Sequence, residues 1–223
     1  MQRHLHTLFT LSTLSTLFTL FTLFTLFTPL NLSAQNARKI LDATAKRLTS
    51  SGCIAMDFKA TQFSGTTPQS GAEGHITISD RRFHLTTQDL EVWYNGEVQW
   101  TMMKGSDEVN LAEPTDEEQT AMNPAILVQI YKKGYKLWVS EANLRGKSTY
   151  VVRCVAKDAK QAFEEMYVDV EQQTLTPLCI RAKKDGDWMR FSILSLSSDQ
   201  NCDDALFEFP KDQYPNTEII DLR

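Results

Sequence analysis

The chain has 223 residues, a formal net charge of -5 and a sequence pI near 5.4. Its Lys and Arg residues form no dense block, which disfavours nucleic acid and a surface rich in anionic lipids as partners. Beyond residue 34 the length suits one domain with a sizeable core and is short for two domains.

The N-terminal segment has the pattern of an export signal. Arg3 supplies a positive charge, the Leu/Phe/Thr run over residues 8–27 supplies an apolar core, and small residues ending at Ala34 fit a cleavage site. A retained transmembrane helix is the alternative, given the apolar length of that run. We predict a signal peptide over residues 1–34, cleaved near Ala34, and a single soluble domain over residues 35–223.

The first elements predicted after this signal are a helix and an antiparallel meander. Residues 36–49 carry apolar side chains at helical spacing, which predicts an amphipathic helix. Residues 54–60, 74–79 and 82–85 alternate apolar with polar side chains, as half-buried strands do. Asn95-Gly96 then predicts a tight two-residue hairpin turn, because both residues accept positive φ angles.

A short, strongly apolar helix is predicted next. Asn123 serves as its N-cap, Pro124 occupies the first helical position and Gly134 ends it, while Thr115 and Glu118 match a capping box upstream. Because this helix is apolar on nearly every side, it cannot be an ordinary surface helix. We expect it to form a lid over an apolar hollow.

The rest of the chain reads as short strands bounded by turn residues, with a second hairpin around Asp185-Gly186 and an extended closing segment over residues 206–222. Many short strands with few helices favour one curved sheet or barrel. The strand-like runs are residues 136–139, 149–155, 166–170, 178–182 and 188–194.

Four cysteines in an exported chain can form disulfides. Cys154 and Cys179 lie in strand-like runs that could be neighbours, so we predict this pair. Cys53 with Cys202 would instead tie the first strand to the last loop, and four buried free thiols are a further alternative. The wide spacing argues against zinc, which favours closely spaced ligand pairs.

The sequence contains no recognisable catalytic motif: no Gly-x-Ser-x-Gly elbow, no phosphate-binding Gly loop and no His-Glu-x-x-His. Adjacent acidic residues such as Glu164 and Glu165 point to opposite faces of a strand, as solvated charges do. Only His75 and His84 follow residue 34, which disfavours a histidine-rich metal site. We therefore expect neither an enzyme nor a cofactor or metal.

The order of these elements resembles the LolA-type outer-membrane lipoprotein carriers over most of the chain after residue 34. The segments that carry the resemblance, besides the first helix, are Gly74-His75-Ile76-Thr77-Ile78 leading to Phe83, Asn95-Gly96 with Trp100, Pro124-Ala125-Ile126-Leu127, Phe207-Glu208-Phe209 and Glu218 to Arg223. The resemblance implies a mainly β fold: an incomplete, half-open antiparallel β-barrel capped by the amphipathic N-terminal helix and the short apolar lid helix.

The resemblance also implies a function. Such a protein is a periplasmic carrier that binds the acyl chains of lipoproteins in a hydrophobic cavity and shuttles them from the inner to the outer membrane. Its implied partners are an inner-membrane ABC-type release complex and an outer-membrane acceptor, and we expect a monomer. The alternatives are a lipid- or lipoprotein-sensing module on the same scaffold and, more distantly, an exported hydrolase.

Specific residues follow from this assignment. The family's latch arginine falls on Asp80, Arg81 or Arg82, and spacing favours Arg81, which shares a strand face with Phe83. For the apolar residues of the predicted cavity, ordinary core packing is the alternative to lining a hollow. They are Phe58, Phe83, Trp93, Trp100, Met102, Ile126, Leu127 and Ile130.

Overall fold

The structure is a computed structural model that describes residues 29–49, 52–115, 118–119, 123, 129–199 and 202–223. Most of the predicted signal peptide lies outside these residues, as do residues 124–128 of the predicted lid helix, including Ile126 and Leu127. No helix in the described ranges combines the length and apolar character needed to cross a membrane.

Within this part of the chain, one α-helix and twelve strands build the fold, with short 3-10 turns between some of them. In chain order they are α1 (Pro29–Thr49), β1 (Cys53–Ser64), β2 (Thr67–Ser79), β3 (Arg82–Thr87), β4 (Leu90–Tyr94), β5 (Gln99–Met103), β6 (Glu108–Ala112), β7 (Tyr135–Leu144), β8 (Lys147–Ala156), β9 (Glu165–Glu171), β10 (Pro177–Lys184), β11 (Asp187–Asp199) and β12 (Glu218–Asp221).

All twelve strands belong to one sheet, in the order β12-β6-β5-β4-β3-β2-β1-β11-β10-β9-β8-β7. Neighbouring strands are antiparallel except for β12, which pairs with β6 in parallel. The sheet ends at β12 on one side and β7 on the other and does not close. The predicted half-open barrel is therefore confirmed, with one parallel pair that the sequence did not indicate.

The predicted amphipathic helix is confirmed and begins earlier than expected, at Pro29. It packs beside β7, and Leu41 joins a core with Met56, Phe83 and Ile180 from the sheet. We call the sheet surface that carries these side chains the inner face and the opposite surface the outer face. Period-two alternation assigns each strand residue to one face or the other.

The two predicted hairpins differ in their loops. Asp185 and Gly186 form a two-residue turn with φ angles of 52° and 85°, as predicted. At the Asn95 hairpin, however, β5 begins only at Gln99, so the loop has four residues rather than two. The Asn95 side-chain oxygen accepts the amides of Glu97 and Val98, both at 3.0 Å, and this widens the turn.

The predicted disulfide is wrong. The structure joins Cys53 to Cys202 and leaves Cys154 and Cys179 as buried free thiols. The physical reason is strand order: β9 lies between β8, which carries Cys154, and β10, which carries Cys179. The disulfide ties β1 to residues 202–223, which we call the C-terminal strap.

The strap packs on the outer face of β3 to β6. Phe207 is fully buried beneath the Arg82 guanidinium, 4.7 Å from its ring centroid. Further along, Phe209 meets the Trp93 ring at a centroid distance of 5.3 Å, and β12 completes the strap by pairing with β6. This half of the sheet is thus covered on both faces.

Candidate functional site

An apolar cavity of about 740 Å³ opens at one end of the sheet. Its walls come from β1, β2 and β3 on one side and from β10 and β11 on the other, with Ala162 and Phe163 of the loop after β8 as cover. The side chains that form its apolar walls are Phe58, Ala60, Ile76, Leu85, Ile180, Ala182 and Phe191.

Two sets of contacts fix these walls. The rings of Phe58 and Phe191 stack at a centroid distance of 4.8 Å across β1 and β11. The Tyr135 hydroxyl donates to the Phe163 carbonyl oxygen at 3.1 Å and accepts from the Phe163 amide at 3.3 Å. These two hydrogen bonds hold the covering loop in place, and burial raises the pKa of Tyr135.

A glycine allows two of the strands to meet at the cavity wall. A Cβ atom at Gly74 would collide with the backbone carbonyl of Thr86 on β3 and would press on the Phe58 ring. Any larger residue would therefore force β2 and β3 apart. Gly74 belongs to the segment that resembles the LolA-type carriers. The close approach of the β2 and β3 backbones is the physical reason for a glycine at this position.

The mouth of the cavity lies between the tips of the β1–β2 and β10–β11 hairpins. Polar side chains gather there, in contrast to the apolar walls. An amphiphile with its apolar part inside and its polar end at this mouth fits such a site. The polar residues at the mouth are Gln62, Ser70, Lys184, Asp185, Asp187 and Arg190.

The predicted cavity residues lie in different parts of the structure. Phe58 lines the cavity, whereas Phe83 is buried in the inner core beside Tyr94 and does not border the open space. Ile130 is partly buried against the same core. Ile126 and Leu127 lie outside the described residues.

The assignment of Trp93, Trp100 and Met102 to the cavity is wrong. Trp93 and Met102 form a separate cluster on the outer face with Val109 and Phe209, and Trp100 packs against it. Alternation along β4 and β5 places these three side chains on the face away from the cavity, where the C-terminal strap covers them.

The cavity residues that the sequence analysis missed are mostly inward positions on β10 and β11, such as Ile180, Ala182 and Phe191. Their alternation could be read from the sequence, since each is followed by an outward polar residue. What could not be read was that β11 pairs with β1, which brings Phe191 opposite Ala60 and places β10 beside the same wall.

The two candidate latch arginines contact different parts of the fold. Arg81 donates to the Gln119 side-chain oxygen at 3.0 Å. Arg82 instead pairs with Asp204 at 2.6 Å and lies over Phe207, so it holds the C-terminal strap. Arg81 therefore contacts the segment that leads into the predicted lid helix, whereas Arg82 contacts the strap.

That segment contains the predicted capping box. The Glu118 carboxylate accepts the Thr115 amide at 2.8 Å, and the Thr115 hydroxyl accepts the Glu118 amide at 3.2 Å. The bond from the Thr115 amide, with a second from the Thr115 hydroxyl to the same carboxylate at 2.8 Å, lowers the pKa of Glu118. The amides of Gln119 and Asn123 each donate to the carbonyl four residues earlier, so helical bonding begins at Thr115, ahead of the predicted N-cap.

The C-terminal end of the predicted lid, which the structure forms as a 3-10 turn over Ile130–Lys132, is tied to α1. The Tyr131 hydroxyl donates to Asp42, and the Arg38 guanidinium lies 5.9 Å from the Tyr131 ring centroid. Burial, helped by the Asp42 carboxylate, raises the pKa of Tyr131. Both flanks of the predicted lid are thus hydrogen-bonded to the body of the fold.

One set of side chains on the outer face has the composition of a hydrolytic triad but not its order. Asp57 accepts from Ser195 at 2.5 Å and lies 2.8 Å from Nδ1 of His75. The carboxylate, rather than the imidazole, is therefore next to the serine hydroxyl, and it cannot orient the histidine as a base for that hydroxyl. The hydrogen bonds from His75 and Ser195 lower the pKa of Asp57.

Comparison with protein families decides the classification. The family model described as "Outer membrane lipoprotein carrier protein LolA" matches residues 27–186. The chain belongs to this family. The match includes α1 and β1 to β10, and therefore the part of the cavity wall that β1, β2 and β3 form. It stops before β11 and before the C-terminal strap, so the LolA family assignment does not depend on either.

Two solved structures share the fold. An uncharacterized conserved protein from Thermus thermophilus has a TM-score of 0.55 and 12% identity, over 83% of this chain and 99% of that chain. The lipoprotein LppX from Mycobacterium tuberculosis has a TM-score of 0.50 and 11% identity, over 77% of this chain and 100% of that chain. These likenesses concern the fold alone. A comparison with curated proteins found no match.

Proposed function

We propose that this LolA family member is a soluble, monomeric periplasmic carrier of lipoproteins. It holds their acyl chains in the cavity and moves them from the inner to the outer membrane. An inner-membrane ABC-type complex releases the cargo to it, and an outer-membrane acceptor takes the cargo from it. No step of this function requires a catalytic residue or a cofactor.

The observation that supports this proposal most is the cavity itself. Its volume of about 740 Å³ lies within the range of roughly 300–1,000 Å³ that is usual for small-molecule sites. Each CH₂ group that moves from water to such apolar walls gains about 0.8 kcal/mol. Apolar walls with a polar mouth suit an acyl chain attached to a polar group.

Two further features support export. The Leu/Phe/Thr run before residue 28 has the composition of a signal peptide, although it lies outside the described residues. The Cys53–Cys202 disulfide is a bond that persists in oxidising compartments and is rare in the cytosol. Both agree with a periplasmic location.

Filling the cavity tests the binding function. Ala60 lies on its wall opposite Phe191, so Ala60→Trp places a large side chain in the space proposed for the acyl chains. We expect the affinity for a synthetic diacyl lipopeptide to fall at least about tenfold, because roughly two CH₂ groups lost from burial already account for that factor. Gel filtration with a labelled lipopeptide measures it.

The matched control is Lys59→Trp. Lys59 is the neighbouring residue, points to the outer face and is half-exposed, so this variant adds the same side chain without entering the cavity. It should bind the lipopeptide as the unmodified protein does. Unchanged lipopeptide binding by Ala60→Trp would refute the proposed site. If the unmodified protein binds the lipopeptide but does not transfer it to acceptor vesicles, the result favours the sensing module.

We also propose that Arg81 acts as a latch for the lid, supported by its hydrogen bond to Gln119. Arg81→Leu removes this contact, and we expect it to bind the lipopeptide but to pass it on several-fold more slowly. Arg82→Leu should leave transfer unchanged and lower the melting temperature, because Arg82 contacts Asp204 and Phe207 of the strap. The reverse result would exclude Arg81 as the latch.

A further inference from the structure

We propose that the mouth of the cavity docks on a zwitterionic phospholipid surface through the tips of the β1–β2 and β10–β11 hairpins. This inference rests on the proposed carrier function. Acyl chains that leave an apolar cavity lose their favourable burial unless another apolar phase meets the mouth. A direct contact between these tips and the bilayer keeps the mouth against such a phase while the acceptor takes the cargo.

The two tips lie side by side and project from the core. β1 pairs with β11, and this places Phe63 opposite Trp188 and Gln62 opposite Met189. Every residue from 64 to 73 is exposed, so the β1–β2 hairpin extends well beyond the packed part of the sheet. Each hairpin closes with a two-residue turn, which keeps the projecting end narrow.

Large apolar side chains sit next to the polar turn residues of these ends. Met189 is 37% exposed at the mouth. Phe63 and Trp188 are partly exposed beside it, and Trp188 lies 5.9 Å from the Tyr167 ring. Trp and Tyr are the aromatic side chains that are enriched at membrane–water interfaces, and the Phe63 ring lies beneath the Arg190 guanidinium.

The charges at the mouth favour a zwitterionic surface. Lys184 and Arg190 stand beside Asp185 and Asp187, so the mouth carries two cations and two anions on a protein whose net charge is -5. A zwitterionic headgroup offers one phosphate and one cation to such a mixture. The Arg190 guanidinium, 5.0 Å from the Phe63 ring, is placed to donate to a phosphate next to the inserted ring.

Co-sedimentation of the purified protein with phosphatidylcholine vesicles tests the proposal. We expect the protein to bind, and we expect Trp188→Ser and Phe63→Ser each to lower the partition coefficient about tenfold, since each removes an apolar side chain from the bilayer. Phe63 does not line the cavity, so its variant separates docking from ligand binding. Thermal unfolding establishes that both variants remain folded.

Trp138→Ser is the matched control. Trp138 is 37% exposed on the outer face, but β7 lies four strands from β11, about 19 Å away at the usual strand spacing. This variant should bind vesicles within twofold of the unmodified protein. Equal losses in Trp138→Ser and Trp188→Ser would overturn the proposal, because binding would then not depend on the tips.

Two other results would also overturn it. A protein that binds anionic vesicles only, or no vesicles while it still passes cargo to a protein acceptor, does not dock as proposed. Ala60→Trp distinguishes this failure from failure of the carrier function. It should lose the lipopeptide and keep vesicle binding, whereas loss of vesicle binding as well would mean that the protein is retained by extracted lipid rather than by its tips.

Discussion

Phe207→Ala should destabilise the protein by about 3–5 kcal/mol, the usual cost of truncating a fully buried phenylalanine. Phe207 has no exposed surface, so truncating its side chain leaves a cavity under the strap. The substitution also removes the cation–π contact between the Phe207 ring and the Arg82 guanidinium. For a chain of this length we expect a fall in melting temperature of roughly 10 °C. Calorimetry or circular dichroism measures it.

Leu222→Ala is the control for this prediction. Leu222 also belongs to the strap but is 61% exposed, so the variant should change the free energy of unfolding by less than about 0.5 kcal/mol. Similar melting temperatures for Phe207→Ala and the unmodified protein would show that the strap contributes little to stability. The proposed cavity lies on the inner face, so lipopeptide binding should survive Phe207→Ala below its melting temperature.

Cys53→Ala/Cys202→Ala should destabilise the protein by about 2–5 kcal/mol. The disulfide spans a sequence separation of 149 residues, and a long closed loop restricts the unfolded chain most. Before any substitution, the unmodified protein should show two free thiols when denatured without reductant, and peptide mapping should recover Cys53 joined to Cys202. Four free thiols would contradict the assignment.

The control variant is Cys154→Ala/Cys179→Ala, which removes the two thiols that the structure leaves unpaired. Reductant should lower the melting temperature of this control and of the unmodified protein, but not that of Cys53→Ala/Cys202→Ala. In the native protein the Cys154 thiol should resist alkylation at neutral pH, because burial raises its pKa to about 12 and leaves almost no thiolate.

The two stability effects should not add. Both the disulfide and Phe207 hold the strap against β1 to β4, so the second change acts on a strap that the first has already loosened. We therefore expect the triple variant to lose less free energy of unfolding than the sum of the separate losses. A strictly additive result would mean that the two ends of the strap are held independently.

Local patterns determined the class of this fold. Alternation in β1, β2 and β3, helical spacing in α1 and the Asp185-Gly186 turn each depend on residues close in sequence, and the structure contains all of them. The capping box at Thr115 and Glu118 is equally local and is present. The ordered set of these elements was enough to indicate the LolA family, which the family comparison then established.

Tertiary structure decided what alternation leaves open, namely which apolar face of a strand is inside. In β4 the consecutive residues Val92, Trp93 and Tyr94 are all buried, and only the strap, which returns from the far end of the chain, shows that Trp93 belongs to the outer face. The pairing of β11 with β1 likewise fixes both the cavity wall and the position of Cys53 relative to Cys202. These contacts join residues more than a hundred positions apart, and no local pattern specifies them, because their free energy comes from packing that exists only when the whole sheet has formed.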